Sequence, residues 1–194
     1  MKKLFILCLI IALPLLIGGC GKKSEVGLGG AVDTAKNIQK MNEIGSAAQK
    51  AQESGNPEDM AKAVEKYGEL AAQLELSQFD KSEAVDAPAG FPKELIYQSG
   101  KLLESSDSSD DTYIDEDITI KSTDEPAKIK EYYKNLLSSG DWKLTDQSSA
   151  SDSADYTAKN SATGLQAQVN ISYNQLSSKL VEIKIYYSGD KVQR

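Results

Sequence analysis

The segment 165–173 alternates strictly between apolar and polar side chains. Its apolar members are Leu165, Ala167, Val169, Ile171 and Tyr173, and every residue between them is polar. Side chains of a β-strand point alternately to the two faces of a sheet, so this pattern predicts a strand with one packed face and one face in water. Strands of this kind are typical of antiparallel sheets.

Further strands are predicted from apolar alternation bounded by turn-forming residues. They cover residues 94–103, 113–121, 142–148, 154–160 and 180–187. Between the first two lies a polar tract, 104–111, which we interpret as a loop.

One helix interrupts this series of strands. Thr123 or Asp124 is suited to cap it, Pro126 falls in its first turn and Gly140 ends it. Its apolar stripe is suited to cover a sheet, and consists of Ile129, Tyr132, Tyr133, Leu136 and Leu137. The predicted fold class of residues 93–194 is therefore α+β, a mainly antiparallel sheet covered by one helix.

A helical hairpin is predicted before this domain, over residues 31–76. Its first helix ends near Ser54, and Asn56 and Pro57 form a cap and a first helical position for the second. The shared apolar stripe is rich in alanine and thin, so the pair would be marginal alone. It docks on the C-terminal domain, on another copy or on a partner, and the sequence leaves these three open. Residues 77–92 are interpreted as a linker.

The N-terminal residues 1–19 have the organisation of a signal peptide. Lys2 and Lys3 precede an apolar run, 4–17, that is too short to span about 30 Å of hydrocarbon as a helix. The run ends in Ile17-Gly18-Gly19-Cys20, which resembles the lipobox of bacterial lipoproteins.

This resemblance implies cleavage before Cys20 and attachment of diacylglycerol and further acyl chains such as palmitate to that residue. Two or more chains hold a protein stably at a membrane. Residues 20–30 would then form a lipidated flexible tether. The domain would face the periplasm or the cell exterior, and Gly21 favours the outer membrane if the host has one.

Residue types that are absent restrict the chemistry. The chain has no histidine, and its two cysteines are Cys8, which leaves with the signal peptide, and Cys20. A Ser-His triad, a catalytic cysteine and a cysteine metal site are thereby excluded. Phosphate-binding glycine motifs are also missing, so we expect no cofactor, no resident metal and no enzymatic activity.

The charge balance disfavours polyanionic partners. The net charge is −7, and loss of Lys2 and Lys3 makes it more negative. An acidic surface repels nucleic acid and anionic headgroups. We therefore expect contact with the membrane only through the lipid.

An acidic cluster at residues 107–117 is the one candidate cation site. An EF-hand starting at Asp107 fails, because Thr112 and Ile118 stand where the turn glycine and the final glutamate are needed. A looser calcium site stays open beside the interpretation as a solvated loop. A hydrolase with paired carboxylates is a further alternative, although nothing in the sequence selects the pair.

A second resemblance covers roughly the last hundred residues. Its motifs are Phe91-Pro92-Lys93-Glu94-Leu95-Ile96-Tyr97, Ser122 to Pro126, Tyr132-Tyr133 and Gly140-Asp141-Trp142. They resemble the α+β domains of uncharacterised bacterial lipoproteins, in which a proline-led strand precedes a helix carrying Tyr and Leu. This resemblance implies fold and location and adds no site.

The expected function is a non-catalytic binding or assembly module held at a membrane surface. Its partner would be an envelope protein or a cell-wall polymer, and an oligomeric stalk that spaces the domain from the bilayer is the alternative. Candidate contacts are apolar or aromatic side chains on the hairpin and on the sheet: Ile38, Met41, Ile44, Val64, Tyr67, Leu70, Tyr113, Tyr186 and Tyr187.

Overall fold

The computed structural model describes residues 28–173 and 178–191, with side chains from Ile38 onward. The helices are α1 (Leu28–Ser54), α2 (Pro57–Lys81) and α3 (Pro126–Leu137), and Lys93–Leu95 forms a 3-10 turn. The strands are β1 (Lys101–Asp107), β2 (Tyr113–Ser122), β3 (Trp142–Ser149), β4 (Ser153–Asn160), β5 (Gln166–Tyr173) and β6 (Val181–Asp190).

The chain divides into two compact units, residues 1–39 and 40–194. This division falls inside α1, whereas the predicted limits of tether, hairpin and linker stay predictions. Along the described stretches, none of the helices is both long and apolar enough to cross a membrane. The segment that resembles a lipobox, residues 17–20, lies outside the described residues.

All six strands form one antiparallel sheet, which confirms the predicted fold class. Their order is β1-β2-β6-β5-β4-β3. The last four strands are neighbours in both chain and space, while β2 pairs with β6 across the helix and three strands. We call the face of the sheet that packs against α3 the inner face and the opposite one the outer face.

The core lies between the inner face and α3. Ile129, Tyr133 and Leu137 of α3 have no exposed surface, so the predicted stripe is the packed side of this helix. The alternation in β5 is also confirmed, since Ala167, Val169 and Ile171 are buried and the polar residues between them are not. Side chains buried at 0–2% exposure on neighbouring strands complete the inner face: Ile118, Ile120, Ala154, Ala158, Val181, Ile183 and Ile185.

The start of α2 agrees with its predicted cap. The Asn56 side chain accepts a hydrogen bond from the Glu58 backbone N–H at 3.1 Å, and Pro57 is the first helical residue. The helix continues to Lys81, five residues beyond the predicted end at Leu76. Its cap is the kind that satisfies N–H groups left free in a first turn.

The C-terminal part of α2 is attached to the outer side of the sheet. Glu75 accepts a hydrogen bond from Lys121 Nζ of β2 at 2.9 Å and another from the Ser178 hydroxyl. Lys101 Nζ of β1 donates to the carbonyls of Phe79 and Ser82, at 2.6 and 3.1 Å, and lies over the Phe79 ring. Docking on its own domain, one of the three alternatives for the hairpin, is thus realised at this end of α2.

The prediction of a first strand at 94–103 is wrong for residues 94–100 and right only for residues 101–103. Residues 93–95 form a 3-10 turn, and β1 begins only at Lys101. The carbonyls of Glu94 and Leu95 accept hydrogen bonds from the Tyr132 and Tyr133 hydroxyls, so they are not used in a strand ladder. Conversely, the polar residues 104–107, predicted as a loop, pair with β2 as an edge strand. An edge strand with water on both faces shows no apolar alternation.

The predicted cap of α3 is also wrong. Glu125 occupies the N-cap position and makes no side-chain cap hydrogen bond. The Asp124 carboxylate instead accepts hydrogen bonds from the Tyr97 hydroxyl at 2.7 Å and from Lys128 Nζ at 2.9 Å. Asp124 therefore connects the segment before β1 to α3 rather than capping the helix.

Candidate functional site

A buried acidic side chain interrupts the apolar inner face of β2. Glu116 follows Ile114 and precedes Ile118 and Ile120 on the same face, and it is 5% exposed. Its Oε2 atom is buried and accepts no hydrogen bond from any residue that the structure describes. A buried polar atom without a partner costs about 1–3 kcal/mol, so the arrangement needs a functional or structural explanation.

The neighbours of Glu116 come from two strands and from the residue that follows β6. Tyr187 of β6 and Asp107 of β1 stand directly opposite it in the strand register, and Lys191 follows β6. Burial, with repulsion from the Asp107 carboxylate, raises the pKa of Glu116, and Lys191 opposes the shift. At Glu116 the effect of desolvation on the pKa therefore outweighs the opposing attraction of Lys191.

Aromatic rings line the same end of the inner face. The Tyr187 ring lies edge-on to Phe91 at 5.8 Å between centroids and to Trp142 at 6.4 Å. Ala167 of β5 stands opposite Tyr187, and Ala158 of β4 stands opposite Ala167. These two small residues leave room over β5 and β4 for the Trp142 indole to reach Tyr187. Burial and the nearby Glu116 carboxylate raise the pKa of Tyr187.

The Glu116→Gln variant is expected to be more stable than the natural chain at pH 7, because the neutral amide removes a charge that burial and the Asp107 carboxylate disfavour. A carboxyl whose pKa is raised in the folded state contributes stability below its unfolded pKa and loses it as pH rises through the folded pKa. The gain should therefore shrink as the pH falls towards 4. Urea unfolding of both chains at pH 4 and 7 measures it, with the exposed Glu131→Gln as control. An equal gain in the free energy of unfolding at both pH values would contradict the raised pKa of Glu116.

Tyr132 and Tyr133, from the motifs of the second resemblance, attach the segment 91–99 to α3. The Tyr132 hydroxyl donates to the Glu94 carbonyl at 2.9 Å, and the Tyr133 hydroxyl donates to the Leu95 carbonyl at 3.0 Å. The centroid of the Tyr97 ring lies 5.0 Å from that of the Tyr132 ring and 6.3 Å from that of the Tyr133 ring. Burial, together with the hydrogen bond to Asp124, raises the pKa of Tyr97 to about 12. These motif residues therefore stabilise the packing of segment 91–99 against α3.

The predicted contacts on the hairpin differ in accessibility. Ile38, Val64 and Tyr67 are 48%, 55% and 40% exposed, whereas Met41 and Ile44 are half-buried. Leu70 is only 5% exposed, because it lies on the buried side of α2. Leu70 is thus packed inside the protein and presents no contact surface.

The predicted tyrosine contacts on the sheet do not form one patch. Tyr113 and Tyr186 are exposed on the outer face, whereas Tyr187 points inward and is 5% exposed. Tyr186 stands opposite Asp117, four residues along β2 from Tyr113, a separation of about 13 Å. Tyr187 therefore belongs to the inner face, and the two outer tyrosines are separate.

The acidic loop uses its carboxylates on its own backbone. Asp110 accepts hydrogen bonds from the Thr112 and Tyr113 N–H groups at 2.7 and 2.8 Å, and Asp107 accepts one from Ser109 N–H at 2.9 Å. Hydrogen bonding to the Ser109 side chain and then to its N–H lowers the pKa of Asp107, and hydrogen bonds from Thr112 and Tyr113 lower the pKa of Asp110. Within residues 28–173 and 178–191, no group of three or more acidic, histidine or cysteine side chains is arranged to hold a metal ion.

The burial of Glu116 is not what its place in the acidic cluster at residues 107–117 predicts. The signal was present, since Glu116 occupies an apolar-face position between Ile114 and Ile118. A charge at such a position in a half-buried strand indicates an unusual environment.

Comparison with known proteins gives one match. Residues 102–179 match a family described as START domain-like, a span from the second residue of β1 to just before β6 and less than half of the chain. The match is compatible with a binding module. No curated protein and no solved structure matches.

Proposed function

We propose that this chain is a lipid-anchored cell-envelope protein whose α+β domain is a non-catalytic binding or assembly module at the membrane surface. The observation that carries the binding role is the START domain-like match over residues 102–179, because this family favours a ligand-binding module. The lipobox supports the anchor, and the absence of histidine from the chain supports a role without catalysis.

The structure supports the binding role in a second way. Glu116 places an unpartnered carboxylate oxygen on the inner face, opposite Tyr187, whose ring in turn contacts Phe91 and Trp142. Binding sites typically combine an apolar lining with few polar groups that orient the ligand, and this corner has that composition. Exposed side chains are also available to a macromolecular partner, on the sheet (Tyr113 and Tyr186) and on the two N-terminal helices (Ile38, Val64 and Tyr67).

The anchor is tested with Cys20→Ala. The natural chain is expected in the membrane fraction, and the variant in the soluble fraction or still carrying its uncleaved signal peptide, because the acyl chains would be absent. Membrane fractionation and mass spectrometry of the N-terminal peptide measure the change, with Cys8→Ala as the matched control. An unmodified Cys20 in the natural chain would overturn the anchor.

The module is tested by photo-crosslinking in living cells. A crosslinking residue at Tyr186 or at Val64 is compared with one at Lys159 or Glu65, which are exposed on the sheet and on α2. One dominant adduct confined to Tyr186 or Val64 supports a specific partner. Self-adducts alone at Val64 favour the oligomeric stalk, and equal labelling at all four positions contradicts the proposal.

A further inference from the structure

We propose that Glu116 is an acidic subsite on the inner face, which takes the ammonium group of an amine ligand with an apolar or aromatic body. This inference rests on the proposed binding function and names the ligand class for it.

The unsatisfied carboxylate of Glu116 provides the polar part of the subsite. Glu116 is 5% exposed, and its Oε2 accepts no hydrogen bond within the described part of the chain. Tyr187 and Asp107 stand opposite it, and Lys191 is the cation that acts on it. The Lys191 ammonium, however, donates to the Asp110 carbonyl and is engaged there. An ammonium group would supply the donor that Glu116 Oε2 lacks, together with a positive charge beside it.

The rings of Tyr187, Phe91 and Trp142, which we call the aromatic corner, provide the apolar part of the subsite. Tyr187 is the direct neighbour of Glu116 across the strands, and Phe91 and Trp142 lie edge-on to its ring. An ammonium group is attracted to aromatic faces, and more strongly where water is excluded. An apolar body attached to the amine would extend along this corner.

Glu116 lies next to an exposed acidic surface. Asp107, opposite Glu116, is exposed at the end of the edge strand β1, and the acidic loop that follows is solvated. The exposed carboxylates of Asp107, Asp110, Asp111 and Asp115 create a negative field at this end of the sheet. Such a field raises the local concentration of cations and repels anions, so the corner selects an amine over a carboxylate ligand.

The test uses the full lipidated chain in phosphatidylcholine vesicles, with phenethylammonium as the probe. Trp142 is the single tryptophan, so its fluorescence reports on the corner directly. We expect a saturable change with phenethylammonium, and at least tenfold weaker binding of 2-phenylethanol, which has the same body without the charge. Affinity for the amine should fall as the pH is lowered through the pKa of Glu116, since protonation removes the charge.

Glu116→Gln is expected to weaken phenethylammonium at least tenfold and leave 2-phenylethanol unchanged, whereas Glu131→Gln changes neither. Thermal unfolding verifies that both variants are folded. Equal binding of amine and alcohol would overturn the acidic subsite and leave the binding role standing. An absent response to both probes would overturn the inner-face site, while crosslinking decides the module separately.

Discussion

Tyr133→Ala is expected to reduce the free energy of unfolding by about 3–5 kcal/mol, the usual loss for a large aromatic side chain in a core. Tyr133 is fully buried on α3, and its ring lies 5.0 Å from that of Tyr132. Its hydroxyl also holds the Leu95 carbonyl at 3.0 Å. The variant therefore loses both the packing of α3 on the sheet and the attachment of segment 91–99.

Tyr133→Phe separates these two contributions. It keeps the ring and removes only the hydroxyl, leaving a buried carbonyl without a donor, so a loss of about 1–2 kcal/mol is expected. Tyr132→Phe, whose hydroxyl is more exposed, is the matched control with a smaller loss. Urea unfolding measures all three variants, and a change of under about 1 kcal/mol for Tyr133→Ala would contradict this description of the core.

Gly100→Ala is expected to destabilise the domain by about 1–3 kcal/mol through overpacking. A Cβ atom at this position would lie 2.4 Å from Ile120 Cγ2 and 3.1 Å from the Lys121 carbonyl oxygen. Ile120 is fully buried in β2, so the strand cannot move aside without disturbing the core. Glycine at this position therefore permits the close approach that starts β1.

Gly45→Ala provides the opposite expectation in the same chain. Gly45 lies within α1, and a Cβ there meets nothing within 4 Å. Alanine is favoured over glycine inside a helix, so a gain of about 0.5–1 kcal/mol is expected where the helix unfolds with the domain. Thermal unfolding compares both variants, and a Gly100→Ala chain as stable as Gly45→Ala would refute the packing argument.

Strands with one wet and one packed face were predictable because their pattern follows from geometry alone. The segment 165–173 is the clearest case, and β5 occupies it. The segment 94–103 was not predictable in the same way. Its apolar residues Leu95 and Tyr97 are buried, as they would be in a strand. The hydroxyls that donate hydrogen bonds to its carbonyls, however, belong to residues 38 positions later in the chain. The local pattern of apolar residues cannot predict a hydrogen-bond partner so far away in the sequence.

The candidate site was only partly predictable for a related reason. Glu116 stands out of its apolar face in the sequence, but its burial depends on Tyr187 and on the way β6 pairs with β2. The aromatic corner likewise requires Phe91 and Trp142 to meet Tyr187 from different elements. Long-range pairing of this kind is set by the tertiary fold, and amino-acid propensity describes it poorly.

The position of β6 has a consequence for the order in which the domain assembles. This strand follows the other five along the chain, yet it lies between β2 and β5. Until residues 181–190 have joined, β1-β2 and β3-β4-β5 are two separate ribbons with exposed edges, which are prone to pair wrongly. The sheet thus closes in one late, non-local step, and such topologies fold slowly. A chain lacking β6 would lose the middle of the sheet, so we expect it to be degraded and to retain no binding function.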